Sequence, residues 1–177
     1  MRILYHVMSA PSPLGLLFLA ASERGLRYVE FMDRRSLKRT IAAHAAQDPD
    51  ATWEPSVREL RPLAEQIEQY FCGTRKSFQV PLDPVGSEHQ LKVWQALSAI
   101  PYGQTRSYAE QARAVGRPTA VRAVAAANGR NKISLIVPCH RVIGSDGSLT
   151  GYGGGVARKR WLLALEHTGV PPAAPAG

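Results

Sequence analysis

The stretch Ile136-Val137-Pro138-Cys139-His140-Arg141-Val142-Ile143 carries most of the information about this chain. It places a thiol between a proline and a histidine, with a guanidinium one residue further along. The reactive form of cysteine is the thiolate, and cationic neighbours increase its fraction above the few per cent that a thiol with a pKa near ~8.5 has at neutral pH. The cluster is therefore typical of an activated nucleophile. A buried structural cysteine at a strand end explains the stretch equally well, because unpaired cysteine is among the most buried residue types.

The composition indicates a globular chain with a basic second half. Its 177 residues are 45% hydrophobic and 20% charged, which is typical of a protein with a sizeable core. Residues 1–86 carry 11 Lys/Arg and 10 Asp/Glu, whereas residues 87–177 carry 11 and 4, so the net charges are +1 and +7. A basic half beside a neutral half favours a polyanion such as nucleic acid as the partner. A basic surface without any such partner is the alternative.

The cysteine content and the N-terminal sequence indicate the cellular compartment in which the protein is expected. Cys72 and Cys139 are too few for a disulfide framework or a Cys-x-x-Cys zinc site, so we expect a reducing, cytoplasmic environment and no metal. Cys72, next to Phe71, is predicted to be a packing residue. The uncharged stretch from Ile3 to Ser22 is interrupted by prolines and a glycine, which favours two strands over a signal peptide or a membrane span.

The first half is predicted to be a small α/β domain with an antiparallel sheet. Strands are expected within 1–33, a short helix over 34–46 and a longer helix over 56–71, where apolar residues recur at helical spacing. A last strand is predicted over 78–82, and residues 83–86 form a linker. This domain with its linker therefore covers residues 1–86.

The second half, residues 87–170, is predicted to be a mainly helical domain, which makes the fold α+β. Ser107 and Glu110 fit a capping box that starts one short helix, and Pro118 suits the first turn of the next. Two short helices joined by a glycine-containing turn are the helix-turn-helix pattern. A packed helical hairpin that binds no nucleic acid has the same pattern. The tail over 171–177, rich in proline and alanine, is predicted to be flexible.

The second of these helices presents small residues around one arginine. Val121, Val124 and Ala125 are predicted to face inward, and the opposite face consists of Thr119, Arg122, Ala123 and Ala126. A face of small residues can approach the minor groove, which is about 6 Å wide in B-DNA. Enzymes that act on a base extrude it first, so Arg122 is a candidate to fill the space that the base leaves. The alternative is a solvated surface charge.

The remaining segments surround the cysteine. Ile133–Val137 is predicted to be a short buried strand that presents Cys139. Thr150–Gly155 is a glycine loop with one aromatic, which suits a movable wall over a pocket better than a phosphate loop, because no lysine follows at the required spacing. A last helix over 158–167 is expected to turn Glu166 inward.

Pro138–Val142 resembles the signature of the methylated-DNA–protein-cysteine methyltransferases, also called O6-alkylguanine-DNA alkyltransferases, especially the stand-alone bacterial members. The resemblance runs from about Val93 to Glu166 and includes further blocks in the family's order: Ile100–Gly103, Ser107-Tyr108, Val121–Val124, Asn131 and Gly151–Gly155. The N-terminal strands and helix are similar to the family's smaller domain. The chain departs from the family at His89, where phenylalanine is frequent, and at Lys132, where proline is common.

The resemblance implies DNA repair by irreversible alkyl transfer to Cys139 from O6-alkylguanine in double-stranded DNA, and also from O4-alkylthymine, after base flipping. His140 would take the thiol proton through a water, and Glu166 would orient the histidine. Tyr108 would protonate the departing guanine, and Asn131 would brace the turn. This is the logic of nucleophile, base and orienting group. No second nucleophile is evident to release the thioether, so one turnover per molecule is expected.

The resemblance also implies a DNA contact and a pocket. Arg122 would replace the flipped base, with Thr119, Ala123 and Ala126 at the DNA, and the pocket would be formed by Val137, Pro138, Tyr152, Gly153 and Gly154. We expect a monomer without cofactor, metal or membrane partner. One alternative is a non-catalytic DNA-binding relative, but such relatives lack the acceptor cysteine. The other is a cysteine hydrolase, but such enzymes place the histidine far along the chain rather than adjacent to the cysteine.

Overall fold

The N-terminal domain of the computed structural model, which describes residues 1–32 and 36–173, is built on a four-stranded sheet of order β3-β2-β1-β4. Its elements are β1 (Arg2–Ala10), β2 (Gly15–Ser22), β3 (Gly25–Met32), α1 (Leu37–Ala45), β4 (Thr52–Pro55) and α2 (Val57–Phe71). The first three strands pair antiparallel, as predicted. The sheet is nevertheless mixed, because α1 carries the chain back so that β4 pairs parallel with β1. The α1 helix confirms the described part of the helix predicted over 34–46, of which residues 34 and 35 lie outside the described ranges.

Helix α2 is the N-terminal element that reaches the site. Ser56 caps it by accepting a hydrogen bond from the backbone N–H of Glu59. The helix is predicted from an apolar face, and this face is buried from Leu60 to Phe71. Tyr70 lies on the same face and has no exposed surface. Cys72 follows as the C-terminal cap and is exposed, so the prediction that it is a packing residue is wrong. The helix has already ended there, and the thiol lies outside the buried face.

Two segments predicted as strands are single bridges at the edge of β3. In the 78–82 segment Leu82 forms an isolated bridge opposite Leu26, and in the segment before Cys139 Ile133 forms one opposite Val29. The backbone N–H of Val29 donates to the Lys132 carbonyl (2.8 Å), and Ser134 N–H donates to the Val29 carbonyl (2.9 Å). No strand continues over 133–137, because Leu135 has a φ of 72°, in the left-handed region. The N-terminal sheet thus holds the segment that leads into the reactive turn.

The C-terminal domain is mainly helical, which confirms the α+β class. Its elements are α3 (Glu88–Ser98), β5 (Arg106–Ser107), α4 (Tyr108–Ala114), α5 (Val121–Gly129), β6 (Val142–Ile143) and α6 (Val156–Thr168). The capping box of Ser107 and Glu110 is present in both directions, and Tyr108 is the first residue of α4. Helix α5 begins at Val121 rather than at Pro118, which lies in the preceding turn.

Three contacts fix the C-terminal helices around the reactive turn. Trp94 Nε1 on α3 donates to the Ala127 carbonyl on α5 (2.9 Å). The short parallel pair β5–β6 ties the start of α4 to the residues just after the Cys139 turn. One hydrophobic core, containing residues such as Leu17, Ile67 and Leu162, extends through both domains. Within residues 1–32 and 36–173, no helix combines the length and apolar character needed to cross a membrane.

Candidate active site

Cys139 opens a single 3₁₀ turn, Cys139–Arg141, and its side chain is held by Asn131. Asn131 Nδ2 lies 3.1 Å from Cys139 Sγ and donates to the Val137 carbonyl at 2.8 Å. Asn131 Oδ1 accepts a hydrogen bond from the Ile133 N–H at 3.0 Å. One amide thus bonds to three points of the segment that leads to the thiol, which agrees with the bracing role expected of Asn131.

The resting thiol is buried, with 9% of the Cys139 surface exposed. Burial raises the pKa of the Cys139 thiol, and the hydrogen bond from Asn131 and the charge of Lys159 act in the opposite direction. The raised pKa means that the thiol carries its proton at neutral pH. A base must therefore remove that proton before the sulfur can act as a nucleophile.

His140 has the protonation state that such a base requires, a neutral ring with a free lone pair. Its Nε2 lies 2.8 Å from Glu166 Oε1, and the side chains of both residues are buried. Burial lowers the pKa of His140 and outweighs the opposing effect of Glu166, so the ring is neutral. The carboxylate accepts the Nε2 proton, which assigns the lone pair to Nδ1. Nδ1 is buried and has no hydrogen-bond partner among the described residues.

Glu166, on α6, is a buried carboxylate that accepts hydrogen bonds from four residues. Besides His140, the donors are Tyr70 Oη (2.6 Å), Arg141 Nε and Nη2 (both 2.9 Å) and the Gly103 N–H (3.1 Å). Burial alone would raise the pKa of the Glu166 carboxyl, but the hydrogen bonds from His140 and Arg141 and the charge of Arg141 hold it well below its usual range. Glu166 is therefore an anion at neutral pH. Arg141 bonds to this carboxylate and not to the thiol.

The structure brings two residues to the site that the sequence analysis missed. Tyr70 reaches Glu166 from the N-terminal domain, and its position three residues after Ile67 on the apolar face of α2 could have indicated that it is buried. Lys159 has no exposed surface, and its Nζ donates to the carbonyls of Val142 (2.5 Å) and Thr150 (3.1 Å). Its spacing of three residues from Leu162 on α6 placed it on the buried face. Burial lowers the pKa of the Lys159 ammonium.

Tyr108 supports the glycine loop. Its hydroxyl donates to the Thr150 carbonyl at 2.8 Å, and burial raises the pKa of this half-buried phenol, with a further contribution from Cys139. The next residue, Gly151, has a φ of 70°, and a Cβ at this position would lie 2.8 Å from the Tyr108 oxygen. The loop thus packs closely against the phenol, and glycine is needed there on both grounds.

A cavity of about 410 Å³ lies between the two domains and reaches Cys139. Of the residues expected to form the pocket, Tyr152, Gly153 and Gly154 line it. Val137 and Pro138 do not; they are buried in the segment that leads to the thiol. The opposite wall belongs to the N-terminal domain and includes Phe31 from β3 and His44 from α1, whereas Asn128 at the end of α5 lines the cavity from the C-terminal side.

Helix α5 presents the surface that its sequence predicts. Val124 is fully buried, whereas the residues expected at DNA are exposed, namely Thr119, Arg122, Ala123 and Ala126. The Arg122 guanidinium has no hydrogen-bond or ion-pair partner among the described residues. Within residues 1–32 and 36–173, no group of three or more His, Cys, Asp or Glu side chains is arranged to hold a metal ion.

Two family models match the chain and together cover most of it. Residues 3–84 match the ribonuclease-like domain of 6-O-methylguanine DNA methyltransferase, and residues 88–168 match its DNA binding domain. The chain therefore belongs to the 6-O-methylguanine DNA methyltransferase family, a class of DNA repair methyltransferases.

Particular members of the family are similar over nearly their whole length. The methylated-DNA–protein-cysteine methyltransferase of Methanosarcina acetivorans is 48% identical over 155 residues, which cover 88% of this chain and 94% of the relative. The protein of the same name from Mycobacterium tuberculosis is 43% identical over 167 residues, or 94% of each chain. The crystal structure of Mycobacterium tuberculosis OGT in complex with DNA superposes with a TM-score of 0.80 at 40% identity, covering 97% of this chain and 96% of that one.

Proposed function

We propose that this protein repairs alkylated duplex DNA by transferring the alkyl group from O6 of guanine to Sγ of Cys139, once per molecule. The observation that carries the proposal is the pairing of a thiol held by Asn131 with a neutral histidine held by Glu166. Membership of the family and the likeness to a relative whose crystal structure is a complex with DNA support duplex DNA as the substrate. The net charge of +7 on residues 87–177 suits the same partner.

The proposed reaction begins with proton removal. His140 follows Cys139 directly in the chain, and no hydrogen bond joins its ring to Sγ, so a water would carry the thiol proton to the free lone pair on Nδ1. The imidazolium that forms is stabilised by the Glu166 carboxylate, whose pKa lies well below its usual range. The proton lost from sulfur is thus held at a defined atom while the thiolate reacts.

The thiolate then attacks the alkyl carbon. A sulfur–carbon bond forms as the carbon–O6 bond breaks, and the released electron pair passes to guanine, which takes up a proton. Tyr108 is the proposed donor, because its phenol keeps its proton at neutral pH and borders the loop above the thiol. The products are unmodified guanine and a thioether on Cys139. A thiolate is a poor leaving group from a thioether, and the group hydrogen-bonded to Sγ, the Asn131 amide, is not a nucleophile that could remove the alkyl group, so the protein is consumed.

Reaction at Cys139 requires that the base leave the helix. The thiol lies in a cavity, and the exposed face of α5 offers one long side chain, Arg122, among small ones. We assign Arg122 the role of occupying the space of the extruded nucleotide, with Ala123, Ala126 and Thr119 against the minor groove. O4-alkylthymine, which carries the same alkyl–oxygen bond, is a second proposed substrate, and the free protein is proposed to be a monomer.

Stoichiometry tests this proposal. A duplex with one O6-methylguanine should be converted to unmodified duplex in a 1:1 ratio to protein, with no further product when DNA is in excess. Cys139→Ser should form no product, whereas Cys72→Ser, which alters an exposed thiol, should behave as the unmodified protein. Repeated turnover, or full repair by Cys139→Ser, would overturn the proposal. Damage binding without repair by the unmodified protein would favour a non-catalytic DNA-binding function.

A further inference from the structure

Arg158, in the first turn of α6, joins the glycine loop to the N-terminal domain. Its Nη1 donates to the Gly154 carbonyl at the end of the loop (3.1 Å), and its Nε donates to the Leu14 carbonyl in the turn between β1 and β2 (2.9 Å). The guanidinium carbon lies 4.8 Å from the centre of the Phe31 ring on β3. This half-buried side chain thus bonds to a backbone carbonyl in each domain and lies over an aromatic ring of the sheet.

These contacts hold one wall of the cavity that reaches Cys139. Phe31 and Gly154 both line this cavity. The loop and the sheet pack closely here, because a Cβ at position 154 would lie 3.0 Å from the Phe31 ring. The wall therefore forms where the glycine loop meets β3, and Arg158 bonds across that junction.

The other end of the loop is held from within the C-terminal domain. The Thr150 carbonyl accepts hydrogen bonds from Tyr108 Oη (2.8 Å) and Lys159 Nζ (3.1 Å). Because Arg158 and Lys159 are consecutive, the first turn of α6 bonds to both ends of the loop. Glycine has the greatest backbone freedom of any residue, so a loop of this composition depends on such contacts to keep one conformation.

We propose that Arg158 is a positioning residue for alkyl transfer, which fastens the end of the glycine loop to the N-terminal domain and so fixes the cavity wall beside the thiol. This inference rests on the proposed function. Arg158 acts through Gly154 and Phe31 and takes no part in the covalent step. A wall held in place keeps the alkyl carbon aligned with Sγ, and a misplacement of about 1 Å can slow a reaction about a hundredfold.

The test measures single-turnover transfer from a duplex with O6-methylguanine for the unmodified protein, Arg158→Met, Arg158→Lys and the control Arg160→Met. Arg160 is exposed, so its replacement removes the same charge from the same helix. Arg158→Met should lower the rate constant about ten- to a hundredfold relative to Arg160→Met, with an equal Kd for the duplex and 1:1 product. Arg158→Lys keeps the charge but lacks the planar fork that reaches both carbonyls, so its rate constant should be intermediate.

Cleavage by chymotrypsin after Tyr152 measures the position of the loop separately and needs no DNA. Arg158→Met should be cut there about tenfold faster than Arg160→Met, as expected when the closed loop loses a hydrogen bond to a charged group. The masses of the fragments 1–152 and 153–177 identify the cleavage site.

Each other outcome has a defined meaning. Equal rate constants in Arg158→Met and Arg160→Met overturn the inference, as does slower transfer without faster cleavage. A weaker Kd in Arg158→Met than in Arg160→Met also overturns it, because Arg158 would then be a DNA contact. If Arg158→Met does not fold, a rate constant of Arg158→Lys equal to that of the unmodified protein refutes the role. If the unmodified protein transfers no methyl group, the proposed function itself fails, whereas transfer at equal rates in all four proteins removes only the role of Arg158.

Discussion

The hydrogen bond from Tyr70 to Glu166 links the N-terminal domain to the reactive cluster and can be tested by removing a single oxygen atom. Tyr70 Oη lies 2.6 Å from Glu166 Oε1, and the tyrosine is fully buried. Tyr70→Phe keeps the ring and its edge contact with Tyr102 while deleting the donor. Burial and the nearby carboxylate raise the pKa of Tyr70 well above its ordinary value, so the hydroxyl carries its proton at every pH of interest.

The expected loss follows from the charge of the acceptor. A hydrogen bond to a charged group contributes about 1.5–3 kcal/mol to the free energy of unfolding. For a chain of this size, that loss lowers Tm by about 3–12 °C. The rate of methyl transfer should fall by no more than about tenfold, because Glu166 still accepts from His140 at 2.8 Å and keeps the ring oriented.

Thermal unfolding and single-turnover transfer measured on one preparation would check both numbers. Tyr102→Phe is the matched control, because the Tyr102 hydroxyl lies 3.5 Å from the Leu165 carbonyl, beyond a good hydrogen bond. We expect its unfolding free energy to change by no more than about 0.5 kcal/mol. Equal Tm values for Tyr70→Phe and the unmodified protein would show that the Tyr70 hydroxyl does not stabilise the buried carboxylate.

Three further changes test separate parts of the site. Arg122→Ala should slow transfer from duplex DNA much more than transfer from the alkylated free base, and equal slowing would refute its role in base extrusion. Lys159→Met should move the pH profile of Cys139 alkylation by iodoacetamide to higher pH, because a cation that lowers the thiol pKa is lost, and an unmoved profile would contradict this. Because the pKa of Glu166 is lowered on folding, its stabilisation is complete above about pH 4.3 and lost as the pH falls further. Urea unfolding between about pH 6 and pH 3 should show this loss, and Glu166→Gln should show a smaller one; equal losses would disprove the assignment.

Local patterns in the sequence predict the elements and the central chemistry of the site. The capping box of Ser107 and Glu110 predicts the start of α4, and apolar spacing predicts α2. The Cys139-His140 pair follows from the motif, and the spacing along α6 turns Glu166 inward. Each of these features is determined by residues that are close together in the sequence. Hydrophobic periodicity and short motifs therefore predict them.

Long-range contacts account for what the sequence did not predict. Tyr70 lies 96 residues before Glu166. In the sequence it cannot be distinguished from an aromatic residue that only packs on a buried helix face. Strand β4 is short and ends in proline, so its sequence does not predict a strand. It forms a strand because it pairs with β1. The apolar run before Cys139 is typical of a strand, but the positive φ of Leu135 and the bonds of Asn131 bend it into turns.

Peptide mass mapping determines which sulfur of the protein receives the alkyl group. After incubation with a duplex containing O6-methylguanine, the peptide that contains Cys139 should gain the mass of one methylene unit, with the methyl group on Sγ. The peptide containing the exposed Cys72 should be unchanged. A repaired duplex with Cys139 unmodified, or a methyl group on Cys72 instead, would show that Cys139 is not the acceptor.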